Sequence, residues 1–541
     1  MLSLASIIPL INIFIGAENF SNNQIIDIIL LISKKLNFNS PLSSIIFIFM
    51  ILILVTGFLK ILELILSISF STNVEADIKE KIFNIYLHKP YELQINKNAN
   101  EIMSILTQKT NIAASSIYSL IGIFSSLLIC ICIFSFLLTI NPILIASIFL
   151  IITSFFLIIF FFKNKQIFAR GKKMSLIQNQ VVESFDSASG YAKEINIYNL
   201  QNFFSNKFSF VARSYAQNYK KNFIIGNSPR IYLEYFSLVL LVLIIYYLSL
   251  SDNNIESLSL LAAIGLGAQK LLPLINKVYN AFVNIKSNQP IILEILNYIN
   301  INQQVFDINH FQKQDEINFL NHIKFHKVSF AYDNSRTNQI SNLSFSIDQG
   351  NNIAIKGKTG SGKSTLGNLI VGLLKPHKGQ ILVDNKNITL QNLKSWQKNI
   401  SVVPQKVFLN DVSIYENIAL GVNSENIDKE KIHNIGRIIL LNEFVENLPL
   451  KYDQKVGKDG IKLSGGQIKR ISIARALYRD TPIILFDETT NELDEHTEKI
   501  ILQNLNKFYK DKTVIFISHR NSILDYCDKI IDLEKINDLN S

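Results

Sequence analysis

Long apolar runs separated by polar, basic segments dominate the first 280 residues. A membrane-spanning helix needs roughly 20 consecutive apolar residues. Five runs approach or exceed that length, at residues 44–70, 113–140, 143–162, 231–250 and 258–278. A sixth run, residues 1–17, is slightly short and contains Pro9, and we count it as the first span. The pattern predicts a multidomain protein that begins with an all-α transmembrane domain of six helices over residues 1–290.

The positions of lysine and arginine predict the orientation of these spans. Residues 71–112 and 163–230 are long, helix-like and basic, whereas the short loops near 141 and 251–257 carry no basic residue. Because cytoplasmic loops are enriched in lysine and arginine, both long segments should face the cytoplasm. Parity then places the N-terminus and everything after residue 280 inside. The net charge of +10 fits this loop bias, and we expect no nucleic-acid partner.

Several polar side chains fall within the predicted spans. They are Lys60, Glu63, Glu234, Gln269 and Lys270. Such groups are costly in lipid and commonly face a cavity, and Lys270 lies near the middle of its span, which favours a place on a substrate path. A Lys60–Glu63 ion pair, or snorkelling towards an interface, would explain the others. Outside the spans, the short apolar run 24–33 suits a helix on the membrane surface.

After residue 290 the pattern changes to strands alternating with helices. Residues 291–322 are interpreted as a linker and residues 323–541 as an α/β domain. The whole chain is 48% hydrophobic and only 18% charged, which is too apolar for an ordinary soluble protein. The three cysteines form no disulfide framework.

One stretch of the second domain fits the phosphate-loop pattern G-x-x-x-x-G-K-[ST]. It lies between a strand-like run, residues 352–356, and a helix-like run, residues 366–371. Glycines allow backbone N–H groups to surround a polyphosphate, and the helix N-terminus adds partial positive charge. Lys363 should reach the β- and γ-phosphates, and Ser364 should bind Mg²⁺. The predicted ATP contacts here are Gly357, Lys358, Thr359, Gly360, Ser361, Gly362, Lys363, Ser364 and Thr365.

Two further segments carry acids and amides that suit hydrolysis. The strand-like run 483–488 ends in Asp487 and Glu488. Asp487 can hold Mg²⁺, and Glu488 can polarise an attacking water. Gln405 ends another β-rich run and can offer its amide to Mg²⁺ or to water.

Three more features complete the candidate site. Residues 463–467 open a predicted helix with small residues and so form a second anion-binding N-terminus. His519 follows a strand-like run and can contact a γ-phosphate. Tyr332 can stack on adenine, although simple packing would also explain it.

In this order the segments resemble the ATP-binding cassette family. The resemblance matches Gly357–Ser364 to Walker A, Gln405 to the Q-loop, Leu463–Gln467 to the signature LSGGQ, Ile483–Asp487 to Walker B, Glu488 to the catalytic glutamate, His519 to the switch histidine and Tyr332 to the A-loop aromatic. It implies that two cassettes enclose two ATP molecules head to tail. Each site then uses the phosphate loop of one chain and Ser464, Gly465, Gly466 and Gln467 of the other.

With one membrane half and one cassette, the chain resembles a half-transporter that dimerises, most simply with itself. The segment Ser413–Ile418 and the long cytoplasmic loops resemble exporters, whose loops carry coupling helices, here expected near 90–93 and 199–204. Two positions depart from the pattern. Asn491-Glu492 replaces the usual start of the D-loop, and Lys458 stands where exporters usually carry glutamate.

Residues 24–33, 190–198 and 271–276 resemble bacterial flippases of lipid-linked oligosaccharides. The anionic pyrophosphate of such a substrate would suit Lys270 or Lys60. A multidrug, lipid or peptide exporter with the same skeleton is the alternative. In this family the first span is longer, so we expect either that Met1 is misplaced as the start or that the first helix is shortened.

Two function classes fit the sequence less well. A soluble cassette ATPase that acts on nucleic acid would lack the apolar runs of residues 1–280. A receptor or channel that is gated by ATP without turnover would be expected to lack Glu488.

Overall fold

The structure is a computed structural model. It describes residues 41–95, 99–139, 142–249, 254–305, 315–332, 339–358, 360–457, 460–488 and 493–534. The chain divides into two compact units, Met1–Lys89 with Asn96–Phe306, and Pro90–Ile95 with Asp307–Ser541. We refer to the described residues of these units as the helical unit and the cassette unit.

Long helices, several of which continue well past the apolar runs, build the helical unit. The helices of this part of the chain are α1 (Pro41–His88), α2 (Tyr91–Ile95, assigned to the cassette unit), α3 (Ala99–Ser104), a π-helical turn (Ile105–Lys109), α4 (Thr110–Leu138), α5 (Pro142–Gly190), α6 (Ala192–Ile197), α7 (Gln201–Ser249) and α8 (Asn254–Val305). Buried Ile82, Ile105, Ile291 and Ile295 form one of its apolar clusters.

Three helices among the described residues are long and apolar enough to cross a membrane, namely Met50–His88, Asn100–Leu138 and Gln201–Tyr246. They contain the larger part of each of the predicted spans 44–70, 113–140 and 231–250. A shorter apolar helix, Pro142–Ile151, lies within the predicted span 143–162. The predicted span 258–278 lies on α8. The predicted first span and the surface helix 24–33 lie outside the described residues.

Two sequence boundaries are corrected by the helices. The predicted linker begins too early, because α8 continues through residues 291–305. Ile291, Ile295 and Tyr298 are buried there in the core of the helical unit, and their spacing of four and three residues places them on one helical face. The sequence predicted a short helix near 199–204, between α5 and α7. The short helix between them is α6, Ala192–Ile197, which ends before that position.

The cassette unit contains two sheets. Its strands are β1 (His322–Phe330), β2 (Ile340–Asp348), β3 (Asn352–Lys356), β4 (Lys378–Val383), β5 (Lys386–Asn387), β6 (Ile400–Val403), β7 (Ile483–Asp487), β8 (Thr513–Ile517) and β9 (Lys529–Asp532). Strands β2-β1-β4-β5 pair antiparallel in one sheet, and β6-β7-β8-β3-β9 pair parallel in the other. Near-continuous burial of β3, β7 and β8 fits a parallel sheet covered on both faces.

Helices cover the parallel sheet and form a second apolar core beside it. They are α9 (Lys363–Ile370), α10 (Leu393–Gln397), α11 (Ile414–Ile418), α12 (Lys429–Ile438), α13 (Asn442–Val445), α14 (Gly465–Tyr478), α15 (Glu495–Phe508) and α16 (Asn521–Leu524), with 3₁₀ turns at Ser424–Asn426 and Lys451–Asp453. Trp396 is fully buried and donates its Nε1–H to the carbonyl of Ile370 at 2.8 Å.

The parallel sheet determines where the predicted site residues meet. Strand β8 pairs with β7 on one side and with β3 on the other. Ligands of open α/β sheets bind beyond the carboxyl ends of the strands. The phosphate loop follows β3, Glu488 follows β7 and His519 follows β8, so the sheet brings these three segments to the same edge.

Candidate functional site: the nucleotide site of the cassette

The phosphate loop makes a tight turn between β3 and α9 that depends on its glycines. Gly360 has φ of 87° and Gly362 has φ of 94°, backbone angles that residues other than glycine rarely adopt. A Cβ atom on Gly362 would also lie 3.1 Å from the carbonyl oxygen of Gln339. The α9 helix begins immediately afterwards, at Lys363, so its N-terminus faces the loop. This arrangement suits a polyphosphate. Thr359 lies outside the described residues.

Lys363 points its ammonium group into the loop. The side chain is only 7% exposed. Its Nζ donates to the carbonyl oxygens of Gly357 at 2.7 Å and Lys358 at 3.0 Å, and it lies 3.9 Å from Oε1 of Glu488. The Lys363 ammonium group therefore lies between the loop and the acidic end of β7, where it can compensate phosphate charge.

Asp487 and Glu488 end β7 with different surroundings. Glu488 has φ of 47°, and its backbone N–H donates to the Ile517 carbonyl at 3.0 Å. Gln405 donates its Nε2–H to Oε2 of Glu488 at 2.8 Å. Burial and the neighbouring Glu488 raise the pKa of the Asp487 carboxyl above its ordinary value, against the opposing effects of Ser364, Lys469 and Lys363.

The donor set fits a magnesium ion. Oδ1 of Asp487 is buried and accepts no hydrogen bond, while the Ser364 hydroxyl is close enough to the same carboxyl group to lower its pKa. Mg²⁺ takes oxygen ligands from one or two carboxylates and from substrate phosphates. Ser364 and Asp487 would hold the ion, and Gln405, which reaches Glu488 beside them, brings an amide to the same place.

Tyr332 and His519 occupy the margins of the site. The Tyr332 hydroxyl lies 3.3 Å from Oγ1 of Thr365 in α9, and its ring meets Phe330 edge-on at a centroid distance of 5.0 Å. His519 follows β8 with an exposed side chain. The preceding residue, Ser518, is buried and its N–H donates to Ile355 at 3.3 Å, which anchors the backbone before His519.

The signature segment forms the N-terminus of α14 and is open to solvent. Ser464 caps the helix, because its Oγ accepts the Gln467 N–H at 3.3 Å and its own N–H donates to Oε1 of Gln467 at 3.0 Å. Ser464 and Gly465 are exposed. In the described part of the cassette unit, no hydrogen bond or ion pair joins Ser464 or Gln467 to the phosphate loop. Lys458, Asn491 and Glu492 lie outside the described residues.

Two residues of the site were not predicted from the sequence. Lys469 is 3% exposed and donates from Nζ to the backbone carbonyl of Gln405. In the sequence it is the first of two adjacent basic residues, Lys469 and Arg470, in the helix predicted to follow residues 463–467. Glu534 accepts the Lys358 backbone N–H at 2.7 Å, and its carboxylate lies 3.5 Å from the Lys358 Nζ. No local pattern marks it, because 176 residues separate the pair.

The polar residues of the predicted spans separate into two cavities within the helical unit. Glu234 and Gln269 line the larger one, whereas Lys60 and Glu63 line a smaller one of about 250 Å³. Glu63 lies 4.0 Å from Lys277, and no ion pair between Glu63 and Lys60 occurs among the described residues. Lys270 lines neither cavity among the described residues.

Comparisons with known proteins agree with this fold. The profile of the family described as "ABC transporter" matches residues 340–491. An "ATP-dependent lipid A-core flippase" of Haemophilus influenzae (strain 86-028NP) is 38% identical over 212 residues, which is 39% of this chain and 36% of that protein. The "ATP-binding cassette sub-family B member 5" of Mus musculus is 38% identical over 213 residues, which is 39% of this chain and 17% of that protein.

A solved structure is similar over nearly the whole chain. The "bacterial Atm1-family ABC exporter with ATP bound" matches with a TM-score of 0.79 and 20% identity, covering 98% of this chain and 91% of that one. The sequence matches, by contrast, span only about a third of the length of the flippases. The chain therefore carries an ABC transporter domain in residues 340–491 and has the fold of an ABC exporter.

Proposed function

We propose that the protein is an ATP-hydrolysing exporter that moves an amphipathic, lipid-type substrate across the bacterial inner membrane. The observation that carries the proposal is the meeting of Lys363, Asp487 and Glu488 at one edge of the parallel sheet. A phosphate-binding cation, a metal-binding carboxylate and a general base are the groups that phosphoryl transfer to water requires. Three apolar helices long enough to cross a membrane support the membrane location.

The geometry suggests how each residue acts on bound ATP. Glu488 takes a proton from the attacking water. Gln405 orients the Glu488 carboxylate by donating a hydrogen bond to its Oε2. Lys363 exchanges the carbonyl oxygens of Gly357 and Lys358 for phosphate oxygens. Mg²⁺, held by Ser364 and Asp487, would neutralise charge on the β- and γ-phosphates. His519 lies at the end of β8, at the edge from which it can reach the γ-phosphate.

Two exposed features support a homodimer. The signature residues Ser464 and Gly465 are exposed, so a second cassette can use them. Aromatic side chains on either side of the short helix α6 are also exposed. Tyr191, Tyr198 and Phe203 are each more than half exposed. We propose that the phosphate loop of one chain and Ser464–Gln467 of another together enclose each ATP, with the cassettes in the cytoplasm.

The substrate class rests on coarser support. Several relatives that match the cassette are named lipid A-core flippases, which favours a lipid-type substrate. The finer proposal is a lipid-linked oligosaccharide, and the alternative is a multidrug or peptide exporter. ATPase activity of the full chain in lipid nanodiscs should rise with lipid-linked sugars. Stimulation by drugs alone would overturn the substrate proposal.

The mechanism is tested by Glu488→Gln. We expect this variant to bind ATP in nanodiscs with unchanged affinity, because the amide keeps the size and one acceptor of the carboxylate. Hydrolysis should fall about a hundredfold to ten-thousandfold, the usual contribution of a general base. Nucleotide binding is measured with radiolabelled ATP, and turnover by phosphate release.

The matched control is Glu495→Gln. This change removes an exposed carboxylate at the start of α15 and should leave hydrolysis unaltered. Full turnover by Glu488→Gln would refute the assigned role of Glu488.

A further inference from the structure

The segment that follows β9 returns to the phosphate loop. Strand β9 pairs in parallel with β3, and Asp532 lies opposite Lys356. Both strands therefore end at the same edge of the sheet, where the phosphate loop begins. Leu533 follows β9 and is 1% exposed, and Glu534 comes next. The backbone N–H of Glu534 donates to Oδ1 of Asp532 at 3.1 Å, which fixes the position of Glu534 beside the loop.

A glycine and a buried leucine bring this segment close to the start of the loop. A Cβ atom on Gly357 would lie 3.5 Å from Cβ of Leu533 and 2.5 Å from Oγ of Ser361. The backbone of Gly357 therefore lies between Leu533 and the turn of the loop, with no room for a larger residue. Glu534 follows Leu533 directly. This packing places the Glu534 carboxylate beside the peptide group that joins Gly357 to Lys358.

The Gly357–Lys358 peptide group is held from both sides. Its N–H, which belongs to Lys358, donates to Oε1 of Glu534 at 2.7 Å. Its carbonyl, which belongs to Gly357, accepts from Nζ of Lys363 at 2.7 Å. A peptide group is planar, and in the trans form its N–H and its carbonyl point in opposite directions. The Glu534 carboxylate and the Lys363 ammonium group therefore fix the rotation of one peptide plane between them.

The hydrogen bond to the backbone matters more at this place than the ion pair beside it. The Lys358 ammonium group lies 3.5 Å from Oε2 of Glu534, but the lysine side chain is 86% exposed. An ion pair that is exposed to solvent contributes little. A carboxylate that accepts a backbone N–H forms a charge-assisted hydrogen bond, which is stronger than a neutral one. The acceptor oxygen, rather than the ion pair, therefore carries the effect of Glu534 on the loop.

We propose that Glu534 is a positioning residue for MgATP binding that acts on Lys363 through the Gly357–Lys358 peptide group. By holding the N–H, Glu534 keeps the Gly357 carbonyl turned towards the Lys363 ammonium group, which stays over the loop before the nucleotide arrives. If the peptide group turned over, its N–H would face the ammonium group and repel it. A preorganised cation lowers the cost of binding the nucleotide. The inference rests on the proposed ATP-hydrolysing function.

Steady-state kinetics of the full chain in nanodiscs test this role. Glu534→Met removes the acceptor and keeps the length of the side chain. Its KM for MgATP should rise about threefold to tenfold, the range for the loss of one hydrogen bond. Its kcat should stay near the wild-type value, because Gln405 and Glu488, which act in the chemical step, contact each other instead. Glu534→Gln keeps an acceptor oxygen, so its KM should rise less than that of Glu534→Met.

The matched control is Asp528→Leu. The Asp528 carboxylate accepts the backbone N–H of Asn352 at 2.8 Å, so it makes the same kind of contact with β3, at the end of the strand that is remote from the loop. This variant should keep the wild-type KM for MgATP. An equal rise of KM in the control, an unchanged KM in Glu534→Met, or the same rise in Glu534→Gln as in Glu534→Met overturns the proposal.

Amide hydrogen exchange tests the contact in the wild type, so the proposal does not depend on one variant folding. Exchange is measured on the full chain in nanodiscs without nucleotide, and fragmentation by electron transfer resolves the Lys358 amide. This amide should be protected in the wild type and exchange about threefold to tenfold faster in folded Glu534→Met. Rapid exchange of the Lys358 amide in the wild type overturns the proposal.

The two levels of the argument fail in different ways. Absence of MgATP hydrolysis by the wild type would contradict the proposed ATP-hydrolysing function. Normal hydrolysis by the wild type, together with an unprotected Lys358 amide, would contradict only the role of Glu534.

Discussion

At the scale of single residues, Asp487 and Glu488 show how one strand end holds two acids with separate tasks. Burial first, and then the charge of Glu488, raise the pKa of Asp487. Glu488 lies within reach of Lys363 and Gln405 instead, because its left-handed backbone conformation turns the chain after β7. The metal-binding acid therefore has a raised pKa.

This raised pKa predicts the acid limit of metal-dependent nucleotide binding. Because the pKa of Asp487 is raised, its carboxyl is protonated, and Mg²⁺ binding is lost, at a higher pH than for an ordinary aspartate. Glu488→Gln removes the neighbouring charge and should lower that pKa, so Mg²⁺-dependent ATP binding should persist to lower pH. Titration of Mg²⁺-dependent binding of labelled ATP against pH measures the shift.

Glu495→Gln again provides the control, since Glu495 is not among the groups that shift the pKa of Asp487. Its acid limit should coincide with that of the wild type. An acid limit in Glu488→Gln that is unchanged, or moved to higher pH, would contradict the coupling between the two carboxyls.

The site residues that were predicted from the sequence lie within short local motifs. The residues that were missed reach the site from distant parts of the chain. Lys363 and Ser364 lie within a local pattern whose geometry follows from a strand, a glycine turn and a helix. Glu534 reaches Lys358 only because β9 pairs with β3. Gln178 and Asn276 line one cavity only because α5 and α8 pack against each other.

At the scale of elements, hydropathy located helices but not their ends. The predicted strand runs 352–356 and 483–488 correspond closely to β3 and β7, because short strands end where the turn residues begin. Helix α1, in contrast, continues from the apolar run to His88, eighteen residues past Phe70. Apolar composition reports the surroundings of a helix, whereas the helical backbone of α1 continues into the polar segment that follows the apolar run.

The π-helical turn before α4 carries a buried ion pair that joins three helices. Lys109 is fully buried and donates to Oε1 of Glu294 in α8, while the Ser175 hydroxyl in α5 donates to Oε2 of the same carboxylate at 2.7 Å. Both oxygens of Glu294 are therefore engaged. Removing only the cation would leave a carboxylate with one oxygen unpaired.

We predict that Lys109→Met lowers the free energy of unfolding of the helical unit by about 3 kcal/mol, near the lower end of the range for a broken buried pair because Glu294 is partly exposed. The double variant Lys109→Met with Glu294→Gln should recover most of the loss, since the amide still accepts from Ser175 without a charge. Unfolding by SDS titration of the full chain measures both variants.

The control is the pair Lys79–Glu75, four residues apart in α1 with 2.7 Å between charged atoms, in which the lysine is 40% exposed rather than fully buried. Lys79→Met should cost about 0.5 kcal/mol or less, as is usual for pairs four residues apart on one helix. Equal losses at Lys109 and Lys79, or no recovery in the double variant, would exclude a structural role for the buried pair.

At the scale of the whole molecule, one chain contains the residues of a nucleotide site in two separate places. Lys363 and Glu488 lie together at the sheet edge, whereas the Ser464 cap of α14 is exposed. If two copies pair head to tail, each site takes Lys363 from one chain and Ser464 from the other. If a site is complete within one chain, the two residues act together.

These arrangements predict opposite results for mixed dimers of full-length chains carrying Lys363→Ala and Ser464→Arg. With the changes on different chains, the head-to-tail dimer keeps one intact site, made from the unchanged Lys363 of one copy and the unchanged Ser464 of the other. With both changes on one chain, neither site is intact. A site confined to one chain reverses this outcome, because an unaltered copy stays complete. We therefore expect measurable ATP hydrolysis only from dimers with the changes on separate chains, purified by two affinity tags and assayed in nanodiscs.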